Sequence, residues 1–274
     1  MKGAGFWPCP FHLSLNFETY DWLRIMARSA PLRVRHKRRK QPKPKTGAAL
    51  AIIDQIQSVT HVDAKHTLNG WGGKRNSSAR VSNALPITTA NAIIDAAYHA
   101  IKIGLPLNRF VTIHFERAGL TDAEAAKAIG RIMKLAKDWM QTKGQVIAHA
   151  WVRENDNGDG RKGSHVHILL HCPDTLPIGR MWRRWLCKVT GQPYRRNVIK
   201  SKRIGGTVNA YANMPAVYLQ NLDGVLAYVF KGVSPADAVT LGLPKQQAGG
   251  WIIGKRAGWS QNIGAKSRVR NLQT

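Results

Sequence analysis

The stretch KGSHVHILLHCP, residues 162–173, places His165 and His167 one residue apart inside a run of β-branched and leucine side chains. In an extended strand, side chains two apart leave the same face, ~6.6 Å apart along the chain. Both imidazoles can therefore address one ion while Val166, Ile168 and Leu170 pack behind them. The chemistry this implies is divalent metal binding, Mg²⁺ or Mn²⁺, and two ring nitrogens hold such an ion well only beside an oxygen ligand. Glu154 ends the preceding run QVIAHAWVRE, and a hairpin register that pairs it with His165 supplies that carboxylate. A slip of one residue would present Arg153 instead. His114 and Glu116 are the reserve ligands. Alternating histidines also occur as ordinary packed residues, so spacing alone leaves the ligand and structural readings side by side. His171 lies ~13 Å beyond His167, too far for the same ion, and reads as structural. The loop NDNGDG starts like a calcium loop, but its twelfth position is Val166, which excludes that reading.

A second candidate is the segment PAVYLQNLDGVLAYVFKG, residues 215–232, bracketed by a proline at a helix start and a glycine at its end. On a helical wheel Leu219, Leu222, Leu226, Val229 and Phe230 share one side, and Tyr228, Lys231, Asn221 and Gly224 share the other. Core packing thus does not account for Tyr228. A phenol one turn from a lysine is common in any helix, but beside a metal-binding pair it becomes a nucleophile placed to attack a metal-polarised phosphorus.

The elements that must position these groups are legible. Residues 86–104 read as a helix, and RFVTIHFE, 109–116, alternates as a strand with Phe110, Thr112, His114 and Glu116 on one face. Thr121 and Glu124 form a capping box that opens a helix closed by Gly144. QVIAHAWVRE and SHVHILLH follow as a hairpin joined by the turn-rich NDNGDGRKG. A further helix, 178–191, buries Trp182 and Trp185 on one stripe and carries Arg180, Arg183, Arg184 and Lys188 on the other, a candidate DNA phosphate-binding row. The order strand, helix, strand, strand, helix predicts an α+β domain: a central antiparallel sheet with helices on one face and the active site on the open face.

The chain of 274 residues carries 42 Lys and Arg against 15 Asp and Glu, a formal net charge of +27. Nucleic acid is the commonest partner for such an excess. No run approaches the ~18 apolar residues of a membrane span, so no membrane association is expected. The N-terminus, interrupted by prolines and acids, does not read as a secretory signal, which makes the cytoplasm of a bacterial host the expected location. Cys9, Cys172 and Cys187 are scattered, without a CxxC pair, so neither a disulfide framework nor a cysteine zinc site is indicated. The divisions expected are a basic N-terminal extension over 1–85 with a disordered linker around 31–47, a catalytic domain over 86–240, and a basic tail over 241–274.

FVTIHF, HVHILL and YVFK, in this order, resemble the three motifs of the HUH (His-hydrophobic-His) endonucleases, the superfamily of rolling-circle replication initiators, relaxases and single-strand transposases. The similarity runs over roughly residues 105–235 and is greatest to initiators of filamentous-phage and plasmid type. It implies nicking and joining of single-stranded DNA at a replication origin: Tyr228 as nucleophile, Lys231 orienting the phosphate or favouring the phenolate, and His165, His167 and Glu154 holding the ion. Thr112, His114 and Asn221 would line the site. Some relatives carry a second tyrosine one turn earlier, where this sequence has Gly224. A single-tyrosine enzyme is implied, with Tyr218 or the tyrosine of a second subunit in a homodimer as the other nucleophile. No GxxxxGK[ST] motif is present, so unwinding falls to a host helicase. The alternatives are a transposase of the same superfamily and a non-catalytic basic protein that binds DNA or RNA.

Overall fold

Five extended segments build the central sheet of the computed structural model, which describes residues 80–156 and 163–270. The described chain starts with β1 (Val81–Ser82) and α1 (Ile87–Lys102), followed by β2 (Arg109–His114), α2 (Asp122–Gln141), β3 (His149–Asp156) and β4 (Gly163–Leu170). Then come α3 (Ile178–Thr190), β5 (Ile199–Arg203), α4 (Ala210–Asn213), α5 (Pro215–Val229) and α6 (Pro235–Thr240). The chain closes with β6 (Ile252–Ile253), β7 (Ala257–Trp259) and α7 (Ala265–Arg270). The sheet has five strands in the order β5-β2-β4-β3-β7, antiparallel throughout. The fold is α+β around an antiparallel sheet. The proposed linker at 31–47, and the rest of the extension before residue 80, lie outside the described residues.

One face of this sheet is the main core. Val111, Ile113, Val166, Ile168 and Trp151 meet the apolar stripes of α2 and α3, among them Ile129, Ile132, Trp182 and Trp185. Both tryptophans are therefore core, at a ring separation of 5.1 Å. The capping box predicted at Thr121 and Glu124 is formed and starts α2 at Asp122. Gly191, in the left-handed region, ends α3.

The other face differs from the open surface expected. Phe110, Thr112, His114, Glu154, His165 and His167 lie on it, and all are buried. Helix α5 lies against it through Tyr228 and through the Tyr218 hydroxyl, which donates to the Leu107 carbonyl at 3.1 Å. α1 lies beside α5, where the Tyr98 hydroxyl donates to Asp223 at 2.6 Å. The buried stripe of α5 is Tyr218, Leu222, Val225, Leu226 and Val229, whereas Leu219, expected in the core, is exposed. The helix is rotated because it packs on two neighbours, the sheet and α1, rather than on the sheet alone.

Two connections change the domain boundaries read from the sequence. β1, inside the proposed extension, pairs with β6, and β7, inside the proposed tail, adds an edge strand to the sheet beside β3. Arg153 explains the docking. Wholly buried on the core side, its guanidinium donates to the carbonyls of Ile253 and Lys255 and ion-pairs with the Asp122 carboxylate. Asp122 also accepts from the Ser164 hydroxyl at 2.7 Å and the Ile253 amide at 2.6 Å. Arg256, likewise buried, donates to the Ser82 carbonyl and to Gly249 at 3.2 Å. A solvated tail would make none of these bonds, and strands of two or three residues between glycines are too short to show a period.

Deleting residues 251–274 is expected to remove the edge strand and expose Arg153, lowering the thermal midpoint by about 10 °C or more. A midpoint within a degree or two of the intact protein would show that the segment contributes nothing to the domain.

Candidate metal centre

The hairpin register decides which groups meet. Glu154 pairs with His165 and Val152 with His167 across β3 and β4, and Thr112 pairs with His167 across β2 and β4. Because strand side chains alternate, Glu154, His165, His167 and Thr112 then share one face. Arg153, the residue a one-step slip would present, points to the opposite face, where Asp122 holds it.

Glu154 Oε2 lies 3.2 Å from His165 Nε2 and 3.5 Å from His167 Nε2. The three residues form a buried group of ligand atoms within 4.8 Å of one another, able to hold a metal ion. The orientation of His165 bears on what sits between them. Its Nδ1 is 2.7 Å from the Gly163 carbonyl, an oxygen that can only accept, so Nδ1 carries the proton. Nε2 then turns a lone pair toward a carboxylate, an arrangement of two acceptors that is stable only with a second proton on the ring or a cation between them. His167 Nδ1 is 3.0 Å from the Thr112 hydroxyl, which can take the Nδ1 proton and leave Nε2 free in the same way. Both Nε2 atoms and Glu154 Oε1 are buried without a hydrogen-bond partner. This donor set of two imidazoles and a carboxylate fits a divalent ion.

The electrostatics point the same way. Burial pushes His167 down to about 4, against the upward pull of Glu154, so its ring is neutral and able to ligate at ordinary pH. Burial also opposes the charge on Glu154, and the Lys231 ammonium beside it favours that charge. Lys231 Nζ is 2.9 Å from Glu154 Oε2. Glu154 and Tyr228 keep Lys231 above its ordinary value although burial works against the charge.

Tyr228, half-buried at the end of α5, is brought to this cluster. Its ring lies edge-on to His167 at 5.1 Å and to Phe110 at 6.1 Å, and Lys231 Nζ sits 4.1 Å from its centroid. His114 stacks on His165 at 5.4 Å. It lies outside the ligand group, and burial, then neighbouring His165, push it down to about 3. Asn221 is not brought in: its amide donates to Val217 in its own helix at 2.7 Å. Tyr218 is buried with its hydroxyl donated to Leu107, so the same packing that positions α5 keeps it from the centre. Glu116 sits instead at the start of β4, its carboxylate accepting from the Ser164 amide at 3.2 Å. Arg180, Arg183, Arg184 and Lys188 are exposed on α3, which packs on the core face, so they and the metal centre lie on opposite sides of the sheet. Sequence reasoning missed β5. Its Lys200 and Lys202 pair with Thr112 and Phe110, and therefore border the centre on its own face. Only the alternation of Ile199 with lysines hinted at that strand. Among the described residues no helix is long and apolar enough to cross a membrane.

Comparison with protein-family models, with curated proteins and with solved structures finds no match.

Two outcomes are expected. Thr112→Val should weaken Mn²⁺ binding, measured by calorimetry, by about 10–100-fold, and Thr112→Ser should restore it, as expected of a group that orients a ligand ring. Unchanged affinity in the valine variant would remove Thr112 from that role. Folding also depresses His114 and His167, so protonation favours the unfolded chain, where histidine titrates near 6.5. Stability in metal-free buffer is therefore complete above about pH 6.5 and falls toward pH 4, each ring adding up to about 1.4 kcal/mol per pH unit. His114→Gln should flatten the dependence of the urea midpoint on pH, and an unaltered slope would count against it.

Proposed function

We propose that this protein is a replication-initiator endonuclease that nicks and rejoins single-stranded DNA through a covalent tyrosyl intermediate, with Tyr228 as nucleophile. One observation carries the reading. Two imidazoles from β4, a carboxylate from β3, and a phenol and an ammonium from the end of α5 converge, with the Tyr228 ring 5.1 Å from that of His167. Core packing gives no reason for five such groups to meet in a largely buried place.

In this reading the phenol oxygen of Tyr228 attacks the scissile phosphorus, and the new bond to phosphorus forms as the bond to the 3′ oxygen breaks. The phenol proton passes to solvent and the leaving oxygen takes one up, which gives a 5′ phosphotyrosine and a free 3′ hydroxyl for priming. Lys231, against the face of the phenol, favours the phenolate and attracts the phosphate. Thr112 and the Gly163 carbonyl hold the two rings with Nε2 inward. A divalent ion held by Glu154, His165 and His167 would polarise the phosphate and offset charge in the transition state. Mn²⁺ suits two imidazoles and one carboxylate better than Mg²⁺ does.

The net charge of +27 supports a polyanionic partner. For the strand that reaches the centre, we assign the approach along β5, whose Lys200 and Lys202 border Thr112 and Phe110. The α3 row, on the other side of the sheet, is left to more distant duplex or strand contacts. Gly224 stands where a second nucleophile would be and Tyr218 is occupied, so rejoining draws its second tyrosine from another subunit. Unwinding is assigned to a host helicase.

Incubation with labelled single-stranded oligonucleotides from the protein's own replicon and Mn²⁺ should yield a protein–DNA adduct on a denaturing gel, lost with EDTA and in Tyr228→Phe. Cleavage that survives Tyr228→Phe would displace the nucleophile, and cleavage in EDTA would displace the metal. Replacing Lys200 and Lys202 together by Gln should reduce the salt dependence of single-strand binding by about 1.4 in log–log slope. It should also impair adduct formation more than replacing Arg183 and Arg184. The reverse ranking would move the strand to the α3 side.

A further inference from the structure

The Glu154 oxygen that faces the two histidines already has a cation. Oε2 lies 3.2 and 3.5 Å from the imidazole Nε2 atoms and 2.9 Å from Lys231 Nζ, whereas Oε1 has no hydrogen-bond partner. Glu154 and Lys231 are both buried, at 3% and 8% exposure. An ammonium and a divalent ion on one carboxylate oxygen repel each other with little solvent between them. The backbone around Lys231 cannot yield easily. The Gln247 amide donates to the Lys231 carbonyl at 2.8 Å, and the Leu85 amide to that of Gly232 at 2.9 Å. The lysine stem can, since it has four rotatable bonds, and the Tyr228 ring already lies 4.1 Å from its tip.

We propose that Lys231 is a resident cation of the metal centre: a divalent ion binds by displacing its ammonium from Glu154, which leaves the ammonium held by Tyr228 alone. This inference rests on the metal reading of the Glu154, His165 and His167 cluster. Two functions follow from the exchange. In the metal-free protein the lysine neutralises a buried carboxylate that would otherwise destabilise the fold. On metal loading the ammonium, shared until then between the carboxylate and the phenol, is left to the phenol alone.

The test is Mn²⁺ titration by calorimetry on the full-length wild type, Lys231→Met and Lys231→Gln, with thermal midpoints measured with and without the ion. Removing the competitor should tighten Mn²⁺ binding by about tenfold or more. The metal-free midpoint should fall, and the rise on adding Mn²⁺ should exceed that of the wild type. Wild-type binding with equal or weaker binding in both variants would overturn the exchange while leaving the metal site standing. No binding in any of the three would overturn the metal reading and the exchange with it. Should the methionine variant fail to fold, Lys231→Gln retains a neutral donor to Glu154 and reads the same competition. In the wild type, the Nζ resonance of Lys231 should shift on saturation with Mg²⁺, and an unmoved resonance at saturation would contradict displacement.

Discussion

A buried carboxylate oxygen governs this structure. Glu154 Oε2 is reached by two ring nitrogens and an ammonium, and every one of these contacts depends on the register of three strands. A carboxylate in such a place is tolerable only when its charge is matched, so the hairpin, the end of α5 and the segment running back over Gly249 must all be seated together. The register is secured from the other side of the same strand. Arg153, next to Glu154, is tied to Asp122 and to two carbonyls of the C-terminal segment. A slip of one residue would bury the guanidinium among the histidines and turn the carboxylate into an apolar core, two errors at once.

The sheet therefore divides its labour by face. On one side Val111, Ile113, Val166 and Ile168 pack against two helices and fix the backbone. On the other, the pleat delivers Thr112, His165, His167 and Glu154 to a layer closed by α5 and bordered at its edge by β5. Ligands carried on central strands are held by the core behind them, whereas Tyr228 and Lys231 stand at a helix end, where a side chain can move without disturbing the sheet. That difference suits the fixed ion and the mobile nucleophile of the proposed function.

Much of the centre was readable because it obeys strand periodicity. The parity of His165 and His167, and the pairing of Glu154 with His165, follow from alternation and a short hairpin. The capping box at Thr121 and the glycine after α3 marked helix ends through local hydrogen-bonding chemistry. Groups whose positions depend on long-range packing were hidden. The closure of the histidine face by α5, and the burial of Tyr218 in place of Leu219, come from a helix with two neighbours, which a single apolar stripe does not encode. The edge strands β5 and β7 are short and carry few apolar residues. Both join the sheet through backbone pairing, and the segment before β7 is also held by the carbonyl bonds of Arg153.

The claim from which the rest follows is that a divalent ion belongs between Glu154, His165 and His167. Diffraction at the manganese absorption edge from crystals of the full-length protein soaked in Mn²⁺ measures this directly. The account predicts one strong anomalous peak bonded to Glu154 Oε2 and the Nε2 atoms of His165 and His167, with Lys231 Nζ withdrawn from the carboxylate. A saturated crystal with no peak there, and with Lys231 still bound to Glu154, would contradict it.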